Sequence, residues 1–282
     1  MKHYAHQIGI LRFGQKLNRP IEATYFPVHK RSIFKIAQIM YVFDLFNLIE
    51  KLYCKEKTMR EKYTRALICI LFIYIPVAFL SSSYAQDPDK FKKEVEALSD
   101  KYQQEGWEKG GVVFTGSSSI RLWKTLEKDF PKANIINTGF GGSQTHNLIQ
   151  YLDKLVLEFE PKKIFIYEGD NDLNAGKPVR QILEEFSEIM EKATDNVPNA
   201  QFYFISAKPS PSRWDKKGQY ELFNEQLKQF AMNHSNANFI DIWTPMLGKD
   251  GKPKPELFVA DNLHMNEKGY AIWKKAVKAY LD

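Results

Sequence analysis

Four short segments of the 282-residue chain carry side chains that could do chemistry. The first is Gly116-Ser117-Ser118-Ser119-Ile120, directly after the apolar run 112–115 (VVFT). A hydroxyl between a strand end and a helix start gains helix N-terminal amides, which favour developing negative charge. Serine is also a preferred helix N-cap, and Ile120 stands where a G-x-S-x-G elbow needs its second glycine. The second segment, Asn137-Thr138-Gly139-Phe140-Gly141-Gly142-Ser143, allows backbone N–H groups to approach a ligand closely. No lysine follows as it would in a phosphate-binding loop.

The third segment is Glu168-Gly169-Asp170-Asn171-Asp172. Its three carboxylates could hold Mg²⁺ or Ca²⁺, although an acidic turn is more often only solvated and the spacing is not that of an EF-hand loop. Asn171 could instead aim its amide into the same crevice as a hydrogen-bond donor. The fourth is Asp261-Asn262-Leu263-His264, where the spacing can set a carboxylate beside one imidazole nitrogen and leave the other free as a base. Among the remaining histidines, His146 is the rival base, next to the glycine segment, and His234 reads as a helix-end or surface residue. Together the four segments supply a nucleophile, a base, an orienter and oxyanion donors, the parts list of acyl transfer.

These segments need a scaffold that brings loops to one rim. From residue 86 onward, strand-like runs at 112–115, 133–137, 163–167, 201–205 and 238–242 alternate with helical stretches. Phe91, Val95, Leu98 and Tyr102 recur at helical spacing, and further helices are expected over 122–130, 146–159, 179–193, 220–232 and 267–280. Such alternation predicts βαβ units, one α/β domain and a parallel sheet with helices on both faces. Ligands then bind outside the carboxyl ends of the strands. Each of the four segments follows a strand or opens the closing helix.

The blocks FTGSSSIRLW, NTGFGGSQT, GDND and DNLH resemble, in order, the four blocks of the SGNH (GDSL-type) hydrolase family, and the likeness spans nearly all of 110–282. It implies a flavodoxin-like three-layer α/β/α sandwich with strand order 2-1-3-4-5, and hydrolysis of acyl esters without a metal or other cofactor. By position it implies Ser118 as nucleophile, His264 as general base and Asp261 as its orienter. The implied oxyanion donors are the backbone N–H groups of Ser118 and Gly142 and the Asn171 side chain. Ser117 replaces the aspartate usual in the first block. The expected substrate is a small-molecule or glycan acyl ester, with short O-acetyl groups on carbohydrates favoured. Trp123, Trp214 and Trp243 could stack on sugars, although a core or rim place suits each better. A lysophospholipase or thioesterase acting on longer chains is the alternative, and a non-catalytic surface binding module or a nucleotide-binding flavodoxin-like protein would be of another class.

The formal charge of +6 is unevenly spread. Residues 1–85 hold 13 Lys plus Arg against 5 Asp plus Glu, whereas 86–282 hold 27 against 29. The basic balance therefore gives no support to a nucleic-acid partner. Arg60, Lys62 and Arg65 precede the uncharged run 66–80 (ALICILFIYIPVAFL) and the exit Ser83-Tyr84-Ala85, the three-part pattern of a secretory signal peptide over 59–85. The run is shorter than a spanning helix and contains Pro76, so a membrane anchor at 66–80 is the second choice. A secreted or periplasmic domain over 86–282 is expected, with both cysteines, Cys54 and Cys69, left upstream. Residues 1–58 carry no chemical motif and read as an over-extended reading frame ahead of a start at Met59, although 33–53 has helical periodicity and could mark a membrane-surface segment. Mass spectrometry of the protein from its native host should then find no peptide from 1–58; finding one would reject the start at Met59.

Overall fold

The computed structural model describes residues 89–281; the upstream segment 1–58, the expected leader 59–85 and the run 66–80 lie outside the described residues. Five strands carry the fold: β1 (Val112–Gly116), β2 (Ile135–Gly139), β3 (Lys163–Tyr167), β4 (Gln201–Ile205) and β5 (Ala237–Ile240). All pair in parallel in the order 2-1-3-4-5, as expected. Parallel strands need long crossovers, and here helices make them. The crossovers hold α2 (Ser118–Arg121), α3 (Leu126–Asp129), α4 (Thr145–Gln150), α5 (Leu152–Leu155), α6 (Asp170–Asn174), α7 (Val179–Asn196) and α8 (Lys217–Met232), while α1 (Lys92–Glu105) precedes β1 and α9 (Trp243–Met246) and α10 (Glu267–Lys278) follow β5.

Side chains alternate across a strand, so each strand feeds two cores. Val113, Ile136, Ile164, Ile166, Phe202 and Phe204 pack on one face with Val95 and Tyr102 of α1 and Ile182, Phe186 and Ile189 of α7. Phe114, Phe165, Tyr203 and Ile205 pack on the other with Trp123, Leu126 and with Trp273 and Val277 of α10. Register aligns Phe114, Phe165 and Tyr203 on neighbouring strands, and their rings stack at 4.2 and 4.4 Å between centroids. Hydrophobic patterning therefore buries both faces of the sheet. Among the described residues no helix is long and apolar enough to cross a membrane.

Several boundaries differ from the sequence pattern. The second strand runs to Gly139, because pairing with β1 continues through Gly116 opposite Gly139 despite the weak strand propensity of Asn and Gly. The helix expected over 146–159 is split into α4, α5 and a 3-10 turn at Leu157–Phe159, with non-helical backbone at Tyr151 and Val156. Of the one expected over 122–130 only α3 is helical, and α2 lies just before it. Helix α6 lies inside the acidic segment, where only a turn was expected.

Gly116 shows how closely the site end of the sheet is packed. It has a φ of 121°, and a Cβ there would lie 2.1 Å from the Tyr167 carbonyl oxygen. Gly116→Ala combines a disfavoured φ with a backbone clash and should cost about 3 kcal/mol. Thermal unfolding should show a Tm roughly 10 °C lower; an unchanged Tm would contradict this approach of β1 to β3.

Candidate active site

The five strand ends share one rim, and the sheet order reverses beside β1, so the segments after β1, β2 and β3 open into one crevice. Ser118 is the first residue of α2, held by the backbone bond from Ser117 N to the Tyr167 carbonyl at 3.0 Å. No serine side chain caps this helix. The Ser118 hydroxyl instead faces His264, with Oγ 3.0 Å from Nε2. Across the imidazole, Nδ1 lies 2.6 Å from Asp261 Oδ2. Asp261 Oδ1 accepts the backbone N–H groups of Leu263 and His264, each at 2.9 Å, which pins the turn. Asn262 within it has a left-handed φ of 57°, a conformation asparagine tolerates better than most residues. Partial burial works to raise the Asp261 pKa, but the His264 ring and the two backbone donors outweigh it and hold it down at about 2. Asp261 is thus an anion beside the ring throughout the range in which an imidazole titrates.

Of the three expected oxyanion donors, the Ser118 N–H opens α2, while Gly142 and Asn171 come from two loops that bond to each other. Gly142 has a φ of 70° with open space where a side chain would be, so its N–H direction is set by a backbone that disfavours other residues. The neighbouring Gly141 N–H is turned onto the Glu94 carboxylate at 3.0 and 3.1 Å, and Arg121 Nη1 donates to the same carboxylate at 3.2 Å. Asn171 Nδ2 donates to the Ser143 carbonyl at 2.8 Å, joining the acidic segment to the glycine loop. An amide nitrogen has two hydrogens, so this bond leaves a second donor on Asn171.

The three carboxylates of the third segment are not a solvated turn: Glu168, Asp170 and Asp172 are all buried. They also serve three separate sets of partners. Glu168 Oε1 accepts the Ser143 hydroxyl at 2.5 Å, while burial, reinforced by Asp172, pushes the carboxyl well above its usual range. Asp172 accepts backbone N–H groups of Thr145 and Gly169 and pairs with Lys177 at 2.5 Å. The Lys177 ammonium also bonds Glu185 at 2.8 Å and His146 Nδ1 at 3.1 Å. His146, Asp172 and Glu185 thus have the spacing of a metal-ligand group, but Lys177 binds each of them. This removes His146 as the rival base: burial, then the Lys177 charge, lower its pKa and commit the ring to a lysine. His234 packs its Nδ1 on the Phe230 carbonyl at 2.7 Å near the end of α8, as a helix-end residue should.

Around Asp170 stand residues the sequence pattern did not single out. Its carboxylate contacts Lys208 Nζ at 2.6 Å, Arg213 Nη1 at 2.5 Å, the Tyr220 hydroxyl at 2.7 Å and the Tyr167 hydroxyl at 2.9 Å. Burial alone would raise the Asp170 pKa, but Lys208, Arg213 and the Tyr220 hydroxyl hold it well below the carboxylate range. Lys208 and Arg213 come from the loop after β4, the one strand-end loop without an obvious motif; a lysine two residues past Ser206, close behind the apolar run 202–205, was its only signal. Trp123 and Trp243 are core residues, 1% and 8% exposed, and the half-buried Trp214 stacks on Trp243 with centroids 5.8 Å apart.

Breaking a buried charge cluster leaves uncompensated charge, so Asp170→Asn should lose about 3–5 kcal/mol at neutral pH. Because the folded-state pKa is lowered, the Asp170 contribution is fully present above about pH 4 and declines as pH falls toward the folded value. Denaturant titrations should therefore show the gap between wild type and Asp170→Asn narrowing below about pH 4; a gap independent of pH would refute the assignment of that charge.

Comparison with known proteins places the chain in a family. Residues 72–272 match the model of the GDSL-like lipase/acylhydrolase family. A comparison with curated proteins finds no match. Similar solved structures include a Streptococcus pneumonia protein provisionally described as a platelet activating factor, at 22% identity and a TM-score of 0.61, covering 74% of this chain and 99% of that one. A GDSL-like lipase from Bacteroides thetaiotaomicron is 20% identical with a TM-score of 0.55, covering 69% and 97%. A catalytic mutant of an acetylxylan esterase from Geobacillus stearothermophilus is 13% identical with a TM-score of 0.51, covering 62% and 95%. With the match spanning more than half of its residues, the chain belongs to the GDSL-like lipase/acylhydrolase family and carries an esterase/acylhydrolase domain.

Proposed function

We propose that the protein is a serine esterase working through an acyl-enzyme, with short O-acyl groups, O-acetyl on carbohydrates foremost, as its substrates. The observation that carries this reading is the continuous chain from Ser118 Oγ through His264 to Asp261, at 3.0 and 2.6 Å. With the Nδ1 proton donated to Asp261, Nε2 accepts the Ser118 proton as Oγ bonds to the ester carbonyl carbon. The backbone N–H groups of Ser118 and Gly142 and the second Asn171 hydrogen receive the oxyanion. Collapse breaks the bond to the alcohol oxygen, which takes the proton from His264, and the acyl group stays on Ser118. Water then repeats the sequence with His264 as base and releases the acid. Ser117, buried at the position where the family resemblance implies an aspartate, has no side-chain role in this scheme.

The short-acyl preference rests on the family and on the acetylated substrate of one structural neighbour. The wider reading includes an exported enzyme, supported by the 59–85 pattern and by the near-neutral charge of 86–282. Hydrolysis of acetyl and octanoyl p-nitrophenyl esters, followed by acetylated glycans, tests substrate class; a strong octanoyl preference would favour the lysophospholipase or thioesterase alternative. Ser118→Ala should abolish turnover, and Asn171→Ala should lower kcat by about 10²–10³. Turnover at the wild-type level in Ser118→Ala would reject the Ser118 assignment, and a wild type inactive on every ester would return the fold to a binding role.

A further inference from the structure

The loop after β4 contributes no atom to the proposed reaction, yet it touches both halves of the site. Arg213 lies in the 3-10 segment Pro211–Lys216. Its guanidinium is divided between two neighbours: Nη1 donates to the Asp170 carboxylate and, at 2.9 Å, to the Asp170 carbonyl, while Nη2 donates to Asn171 Oδ1 at 2.9 Å. One residue earlier, Ser212 N–H donates to the Asn262 carbonyl at 3.1 Å, inside the turn that presents Asp261 and His264. Pro209 and Pro211 lie just before Ser212 and Arg213 and restrict the backbone leading into them.

An asparagine amide can flip, exchanging its donor and acceptor ends. A flipped Asn171 would aim oxygen, not N–H, at a developing oxyanion. Arg213 has no acceptor, so Oδ1 must face it and Nδ2 must face Ser143 and the crevice. A cation on the amide oxygen also draws electron density from the nitrogen and strengthens its N–H groups as donors. The same guanidinium is held by the buried Asp170 carboxylate, so it is fixed before any substrate arrives. A lysine could keep the pair with Asp170 but could not span the two neighbours with a planar fork.

We propose that Arg213 is a positioning residue for the oxyanion hole, locking and polarising Asn171 while its segment ties that donor to the Asp261–His264 turn. This role rests on the esterase reading given above. It predicts a loss confined to the transition state, because the Asn171 donor matters most once the oxyanion forms.

The test is steady-state hydrolysis of p-nitrophenyl acetate by the full chain. Arg213→Lys, which keeps a cation for Asp170, should lower kcat about tenfold with little change in KM, and Arg213→Gln should lower it further. Combined with Asn171→Ala, Arg213→Gln should cost nothing more than Asn171→Ala alone, since the donor it serves is already gone. A purely structural role would instead multiply the two losses. Should Arg213→Gln fail to fold, Arg213→Lys and its cycle with Asn171→Ala decide the matter. Wild-type kcat in the Arg213 variants, or losses that multiply, beside an inactive Ser118→Ala would overturn this inference alone. An active Ser118→Ala would overturn the esterase reading and this inference with it.

Discussion

The buried carboxylate of Asp170 is the constraint around which the site is arranged. An ionised group 3% exposed is tolerable only if its charge and lone pairs are met. Lys208 and Arg213 meet the charge, and the Tyr167 and Tyr220 hydroxyls complete the hydrogen bonding. These four residues come from β3, the loop after β4 and helix α8. One unfavourable burial thus draws three separate parts of the chain to a single point, and Asn171 is the next residue along.

A second cluster does the same for the opposite side of the crevice. Asp172 receives the backbone of Thr145 and Gly169 and is neutralised by Lys177, which also holds Glu185 of α7. Between these clusters the Asn171 amide bridges to Ser143. The donors of the glycine loop and of α6 therefore share a frame of charged, buried bonds. Preorganisation of this sort is what lets hydrogen-bond donors stabilise charge without rearranging during the reaction. The imidazole and carboxylate that face the Ser118 hydroxyl lie in a turn near the surface, where Asp261 is half exposed.

Much of this was legible in the residue order. The parallel α/β sheet follows from apolar runs of four or five residues alternating with helical periodicity, a pattern set by local burial. The Ser118, Asn171, Asp261 and His264 positions stand out because their residue types cluster at strand ends. Boundaries were less legible where tertiary pairing overrides propensity: β2 extends through Asn137-Thr138-Gly139 because β1 lies beside it. The 146–159 stretch keeps helical spacing in its apolar residues but breaks at Tyr151 and Val156, whose backbone angles are not helical. The acidic segment misled most, because three carboxylates in five residues suggest a metal or solvent, and nothing local shows that cations over 30 residues away enter the same pocket.

By itself, the sequence determined the fold class, the order of the chemical blocks and the identity of the groups able to carry acyl transfer. Those properties depend on residue type and on periodicity along the chain, which are local. Only the tertiary structure decided that Ser118 reaches His264 rather than His146, a contact across 146 residues. It also decided that Lys208 and Arg213 belong to the site, and that Lys177 rather than open solvent stands among His146, Asp172 and Glu185. The reason is that charge compensation in a buried space acts through distance in three dimensions, and that distance is set by the packing of the sheet and helices rather than by separation along the chain.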